Sequence, residues 1–426
     1  MAVKNFKNPN SGTGATIQLN LVGVIIFSVA LVLSAALLTY GLTKERSASG
    51  VASDSDSTQT NDDNDLVEQP DAPASGQLFT RNLNLEQPEE YADYEASDQT
   101  ETWTFEQMVP GQVRTLMQSC GLAANEIDRA LSPAMMTFAN SDTVITPDAE
   151  LVFSMSPDVR VKLYNALGHF TENELMRFPI CFPTNEFDAW FGDGRVDAGS
   201  LALLKRLVYV RGETGCFSDF GILLQQVPDE TNRLHLVEAL SRQSAVLMGI
   251  QIWPDTDVDK VLDYWSRPNG ARLINIRPLL ESLKDRPHGG TASILFFLPP
   301  FARERLYTYP LPSQLGDPTM DCHWSTLNFF NSVPDNRFSD AKYAAAFIET
   351  NYYQIAKPSA YGDIILVLDE HGNAIHSGVY LAGDIIFTKN GNNFAQPWML
   401  MHLKDLIAEY TTDIAPRIAV YRNKNW

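Results

Sequence analysis

Apolar and polar positions divide the chain into four stretches. Residues 17–43, IQLNLVGVIIFSVALVLSAALLTYGLT, carry no charge, and the run from Leu19 to Leu42 matches the ~20 apolar residues a helix needs to cross a bilayer. Residues 44–102 show almost no apolar periodicity, and their low hydrophobicity with high charge predicts a disordered acidic tether. From 103 to 317 the pattern is mainly helical. SPDVRVKLYNALGHF places Ser156 as an N-cap, Pro157 at the first helical position, and Val161, Tyr164 and Leu167 on one face. Further helices are expected over DAGSLALLKRLVYVRGETG, stopped by Gly212 or Gly215, and over FSDFGILLQQV, DETNRLHLVEALSRQSAVLMGI and DTDVDKVLDYWS.

From 318 to 426 the period changes. CHWSTLNFF and AKYAAAFIETNYY read as helices. DIILVL, AIHSGVYL and IIFTKN follow as alternating runs divided by DEHGN and AGD, which predicts an antiparallel meander. WMLMHLKDLIAEY predicts one more helix and RIAVYRN a last strand. Helices followed by a meander make an α+β module.

Net charge is −20, and 15 acidic residues against Arg46 and Arg81 place −13 of it between Glu45 and Glu101. The absence of a basic face argues against a nucleic-acid partner. Lys4 and Lys7 before the apolar run are balanced by Lys44 and Arg46 after it, and the short N-terminal segment with a large region following predicts a cytoplasmic segment 1–16, a membrane anchor over 17–43, and the remainder on the extracytoplasmic side.

Four cysteines occur in 426 residues. Cys120, Cys181 and Cys216 lie in the helical stretch without CxxC spacing or a zinc-like histidine pattern; an extracytoplasmic location permits one disulfide among them with one cysteine left over, and they read at least as well as small buried apolar residues. That stretch offers surface for a protein partner. Cys322 differs. Asp321 precedes it as a cap, it opens a helix whose free N–H groups lower a thiol pKa, and His376 begins a strand 54 residues later. A nucleophilic cysteine needs such an imidazole and a third group to hold the ring. With the loop of the following hairpin at Ala382–Asp384, opposed residues sum to 766 and His376 faces Asn390, whose carbonyl can accept from the ring. Shifted loops offer Lys389 or Gly391 instead; Asn392 and Gln396 are alternatives for the third group. His169 and His235 read as packed or surface residues. A metal site built from His323, His371, His376 and Asp369 matches no zinc spacing, and no cofactor is expected.

Asp321-Cys322 at a helix start, Gly362-Asp363 before a strand, and His376-Ser377-Gly378-Val379-Tyr380 resemble the ordered motifs of the NlpC-like cell-wall peptidases, which have a papain-like fold. The resemblance covers residues 305–426. It implies catalytic roles for Cys322 and His376, a third residue near Thr388 instead of Asn390, and an oxyanion-side tyrosine at Tyr309 or Tyr307. It implies structural turns at Gly362, Asp363 and Gly378, and peptidoglycan stem peptides as substrate. The chain departs from the pattern at His323 and Trp324, where the family has Ser-Gly; these two line the expected substrate side, with Trp324 narrowing the site. PPFARERLYTYP and FTKNG…QPWMLM are similar to uncharacterised bacterial membrane-anchored proteins. Two other classes fit the same residues: an inactive papain-like binding module, and a thiol acyltransferase acting on lipid or thioester donors.

Overall fold

The computed structural model describes residues 17–18, 74–89, 91, 100–183, 187–192, 194–211, 214–266, 273–310, 320–391, 396–411 and 414–426. The expected membrane-crossing helix, and the single-pass membrane location drawn from it, must be corrected. Among the described residues no helix is long and apolar enough to cross a membrane. Ile17 and Gln18, the first residues of the expected span, pair as a strand with Ala374 and Asn373, and residues 19–43 lie outside those described.

One core gathers Trp103, Phe105, Tyr164, Phe191, Phe217 and Leu240. Its helix Pro157–Leu167 begins as expected, with Ser156 Oγ accepting the Val159 N–H at 3.3 Å. Two expected helices are shorter than their patterns. Ala198–Leu207 ends before Tyr209–Arg211, which pairs back on Thr214–Phe217; aromatic and β-branched residues favour that ladder. Glu230–Ser241 is helical, whereas the following QSAVLMGIQI is a strand, Gln243–Ile252.

That strand pairs with Gln77–Leu85, from Gln77 opposite Gln251 to Leu85 opposite Gln243. Residues 77–85 are therefore ordered, contrary to the tether expected over 44–102. Leu83 and Leu85, two apart and so on one face, pack beside Ala245, Met399 and Met401. The acidic surroundings hid this short alternation.

The C-terminal elements are α1 (Cys322–Asn328), α2 (Ala341–Asn351), β1 (Tyr352–Ile355), β2 (Ile364–Leu368), β3 (Asn373–Ala382), β4 (Ile385–Lys389), β5 (Trp398–His402), α3 (Leu403–Glu409) and β6 (Arg417–Asn423). The strands pair antiparallel in the order β1-β6-β2-β3-β4-β5. The helix expected from Trp398 starts only at Leu403, because Trp398–His402 pairs with β4 as a fully laddered strand. One continuous core runs from Val246 and Trp265 through Phe301 and Trp324 to Tyr361, Leu366 and Leu400. The boundary expected at 317/318 thus falls inside a shared core, in which side chains from Val246 to Trp265 and from Leu280 to Leu306 pack with those of the C-terminal sheet.

Gly362 sets the entry to β2. Its φ of +93° is left-handed, and an added Cβ would meet the Trp426 ring at 2.6 Å and the Phe330 ring at 2.8 Å. Asp363, fully buried, accepts from the Ser359 and Ala360 N–H groups at 2.9 Å and from Arg422 Nε at 2.8 Å and Nη2 at 2.7 Å. This network ties the loop before β2 to β6. Gly378 leaves room on β3 for β4, whose Phe387 carbonyl would lie 3.2 Å from an added Cβ.

Candidate active site

Cys322 sits at the first turn of α1. Asp321 caps the turn, its Oδ1 accepting the Trp324 N–H at 2.7 Å while its carbonyl accepts the Ser325 N–H at 3.0 Å. This helix packs across β3 and β4, which bring His376, Ser377 and Thr388 to it. Cys322 is 4% exposed and His376 fully buried. The imidazoles of His323 and His376 both stand within hydrogen-bonding reach of the sulfur.

The β3–β4 register is the one expected for a loop at Ala382–Asp384, with Val379 opposite Phe387 and Tyr380 opposite Ile386. Asn390 nevertheless does not hold His376, and that assignment is corrected. Its Nδ2 donates to Glu409 Oε2 at 2.6 Å, and its buried Oδ1 has no hydrogen-bond partner. The ring instead meets Thr388, with His376 Nε2 and Thr388 Oγ1 2.7 Å apart. Thr388 Oγ1 gives its proton to the Ser377 carbonyl at 3.1 Å, so it accepts from Nε2. The neutral ring therefore carries its hydrogen on Nε2 and leaves Nδ1 as the basic nitrogen. Nδ1 faces the Tyr410 hydroxyl at 2.8 Å, and the two rings lie 4.6 Å apart.

His323 is not a rim residue. Its Nδ1 lies 3.0 Å from Ser377 Oγ, which donates to Thr326 Oγ1 at 3.0 Å and must therefore accept from the ring. The Ala374 carbonyl also accepts from this imidazole. A ring with acceptors around it favours the doubly protonated form.

The charges follow from this arrangement. Burial acts to raise the Cys322 thiol, but the two adjacent imidazoles hold it well below its ordinary value. Burial acts against a charged His323, yet the Cys322 sulfur and the Asp321 carboxylate lift it to about 9. Asp321 is pushed up to about 6 by burial and by the Cys322 negative charge. Lys389, buried beside the site, is brought down to about 7 by desolvation, against the attraction of Cys322 and Asp321. The geometry thus supports a thiolate paired with imidazolium.

Trp324 turns away from the thiol. Its ring packs 5.3 Å from Phe301 under the Arg305 guanidinium, so it fills the core and does not line a substrate groove. The expectation that it narrows the site is corrected, since residues two apart on a helix project in different directions. The tyrosines are also elsewhere. Tyr307 OH donates to the Val246 carbonyl at 2.5 Å, while Tyr309 packs edge-on against Tyr91, its buried hydroxyl without a hydrogen-bond partner. His371 is exposed in the turn after β2, near Glu370. No group of three His, Cys, Asp or Glu among the described residues is placed to hold a metal ion. Gln396 Oε1 is buried without a hydrogen-bond partner, and Asn392 lies outside the described residues. Sequence reasoning missed Tyr410, which is 34 residues from His376 and brought to it by α3.

Comparison of the chain with protein-family models, with curated proteins and with solved structures finds no match.

Proposed function

We propose that the chain is a cysteine amidase or peptidase in which Cys322 forms a thioester with the acyl part of an amide substrate. The observation that carries this reading is the buried Cys322 between two imidazoles, with the His376 tautomer set by Thr388. The Cys322 thiolate attacks the amide carbonyl, and the Cys322 N–H, not used by the Asp321 cap, faces the developing oxyanion. His376 Nδ1, having taken the Cys322 thiol proton, then gives it to the leaving amine, the C–N bond breaks, and the thioester remains. Water attacks next, giving a proton to Nδ1, and the acid leaves as the thiolate reforms. The positive charge on His323 favours the thiolate before attack and again as the leaving group of deacylation.

The likeness of DCHW, the Gly362-Asp363 strand and HSGVY to the NlpC-like motifs supports stem peptides of peptidoglycan as the substrate. Purified wall peptides incubated with the protein should release new amines, identified by mass spectrometry, and Cys322→Ala should abolish this release. Release persisting in that variant would overturn the assignment.

A second reading, a binding module without turnover, is favoured by closure of the site. Tyr410 occupies the basic nitrogen of His376, and Phe178 packs on Tyr410 with ring centroids 5.4 Å apart. Retained binding of wall peptide by wild type, with no release under any condition, would select it.

A further inference from the structure

Cys181 and Cys216 lie directly opposite one another in the antiparallel pair Ile180–Pro183 and Thr214–Phe217. Opposed residues have Cα atoms about 4.5–5.5 Å apart, inside the roughly 4.4–6.8 Å that a disulfide spans. Both cysteines are free. Their thiols also contact each other by hydrogen bonding, and each points at the carbonyl two residues earlier, Cys181 Sγ to Pro179 at 3.4 Å and Cys216 Sγ to Thr214 at 3.7 Å.

A buried cation lies beside the pair. Arg211 Nη2 donates to the Met176 carbonyl at 2.6 Å, while its buried Nε and Nη1 have no hydrogen-bond partner. The hydrogen bond from Cys181 and, against burial, the Arg211 charge lower the Cys216 thiol. Cys181 is raised by its bond to Cys216, by burial, and by the Cys216 and Glu409 charges. The two thiols therefore differ: Cys216 is the more readily ionised and Cys181 the less.

We propose that Cys181 and Cys216 are an oxidisable dithiol that a small hydroperoxide converts to a disulfide. The Cys216 thiolate attacks the peroxide, forming an S–O bond as the O–O bond breaks, and the departing oxygen takes a proton to leave as an alcohol or water. Cys181 then attacks the Cys216 sulfenic acid. The S–S bond forms, the S–O bond breaks, and hydroxide leaves with the Cys181 proton as water. The two thiols lose two electrons and two protons, and the peroxide is reduced. Cys216 is buried and Cys181 partly exposed, which favours a small oxidant such as hydrogen peroxide.

The pair also neighbours the candidate active site. Phe178, three residues before Cys181, packs on Tyr410, and Cys181 is electrostatically coupled to Tyr410 and Glu409. The dithiol itself does not depend on any role for Cys322.

The test uses the full chain carrying Cys322→Ala, which removes the other low-pKa thiol. Brief hydrogen peroxide treatment of folded protein should remove two hydrogens from the intact mass and yield a Cys181–Cys216 linked peptide. Cys181→Ser should instead trap a dimedone adduct on Cys216. Arg211→Gln should slow linkage roughly tenfold, as the thiolate fraction falls. A linkage that forms only after unfolding, or a pair that stays reduced in folded protein, would overturn the proposal. A dimedone adduct on Cys181 in a Cys216→Ser chain, formed as fast as on Cys216, would overturn the assigned order.

Discussion

Thr388→Val tests the tautomer of His376 directly. Valine keeps the shape of threonine but cannot accept from Nε2 or donate to the Ser377 carbonyl, two contacts now made at 2.7 and 3.1 Å. The His376 ring is fully buried, so its Nε2–H would have no water to turn to. An unpaired buried donor costs about 1–3 kcal/mol, and we expect a loss of roughly 2 kcal/mol in urea unfolding. The freed ring can also place its hydrogen on Nδ1, which removes the base. The rate of Cys322 alkylation by iodoacetamide across pH reads that change independently of fold stability. Thr388→Ser, which keeps the hydroxyl, should restore the wild-type pH profile. A valine variant within about 0.5 kcal/mol of wild type, with an unchanged alkylation profile, would refute the tautomer argument.

Three further outcomes follow from the same contacts. His323→Gln should move the alkylation midpoint of Cys322 to higher pH, cutting the rate at pH 6 roughly tenfold for each unit the thiol rises; an unmoved midpoint would assign the thiolate to His376 alone. Burial, then the Asp405 charge, raise Glu409 to about 8, so its contribution to stability is full below its ordinary carboxyl range and lost as pH rises towards 8. Glu409→Gln should thus match wild type near pH 4 and exceed it at pH 9 in urea unfolding, and a constant difference across that range would contradict the buried acid. Gly362→Ala should lower stability by at least about 2 kcal/mol, from left-handed strain plus collision with the Trp426 and Phe330 rings; an unchanged urea midpoint would show that the loop tolerates a side chain.

The meander was legible because turn residues divide AIHSGVYL from IIFTKN, and its register followed from the loop at Ala382–Asp384, one of the loops the sequence allowed. Asp321 as a cap and Asp363 as a loop anchor were legible from position alone. Other features depend on contacts that a linear pattern does not carry. Asn390 stands where the register puts it, but Glu409 from α3 draws its amide away, and the shorter Thr388 takes the ring. Trp398–His402 reads as amphipathic helix until β4 is present to pair with it. The pairing of Cys181 with Cys216 requires knowing that ICFP and TGCF form strands, which the surrounding helical pattern obscured.

The pairing of Leu85 with Gln243 has a topological meaning. The chain leaves one ladder at Leu85, builds a separate core with residues 103–240, and returns to the adjacent position on the same ladder. The region between is an insertion whose two ends already lie at strand-pair distance. A tight turn from Leu85 to Gln243 would close the same two strands as an ordinary hairpin. The core bearing Cys322 can thus carry the other as an excursion, joined through its two ends and through contacts that include Phe178–Tyr410, Arg177–Asp369 and His169–Glu370.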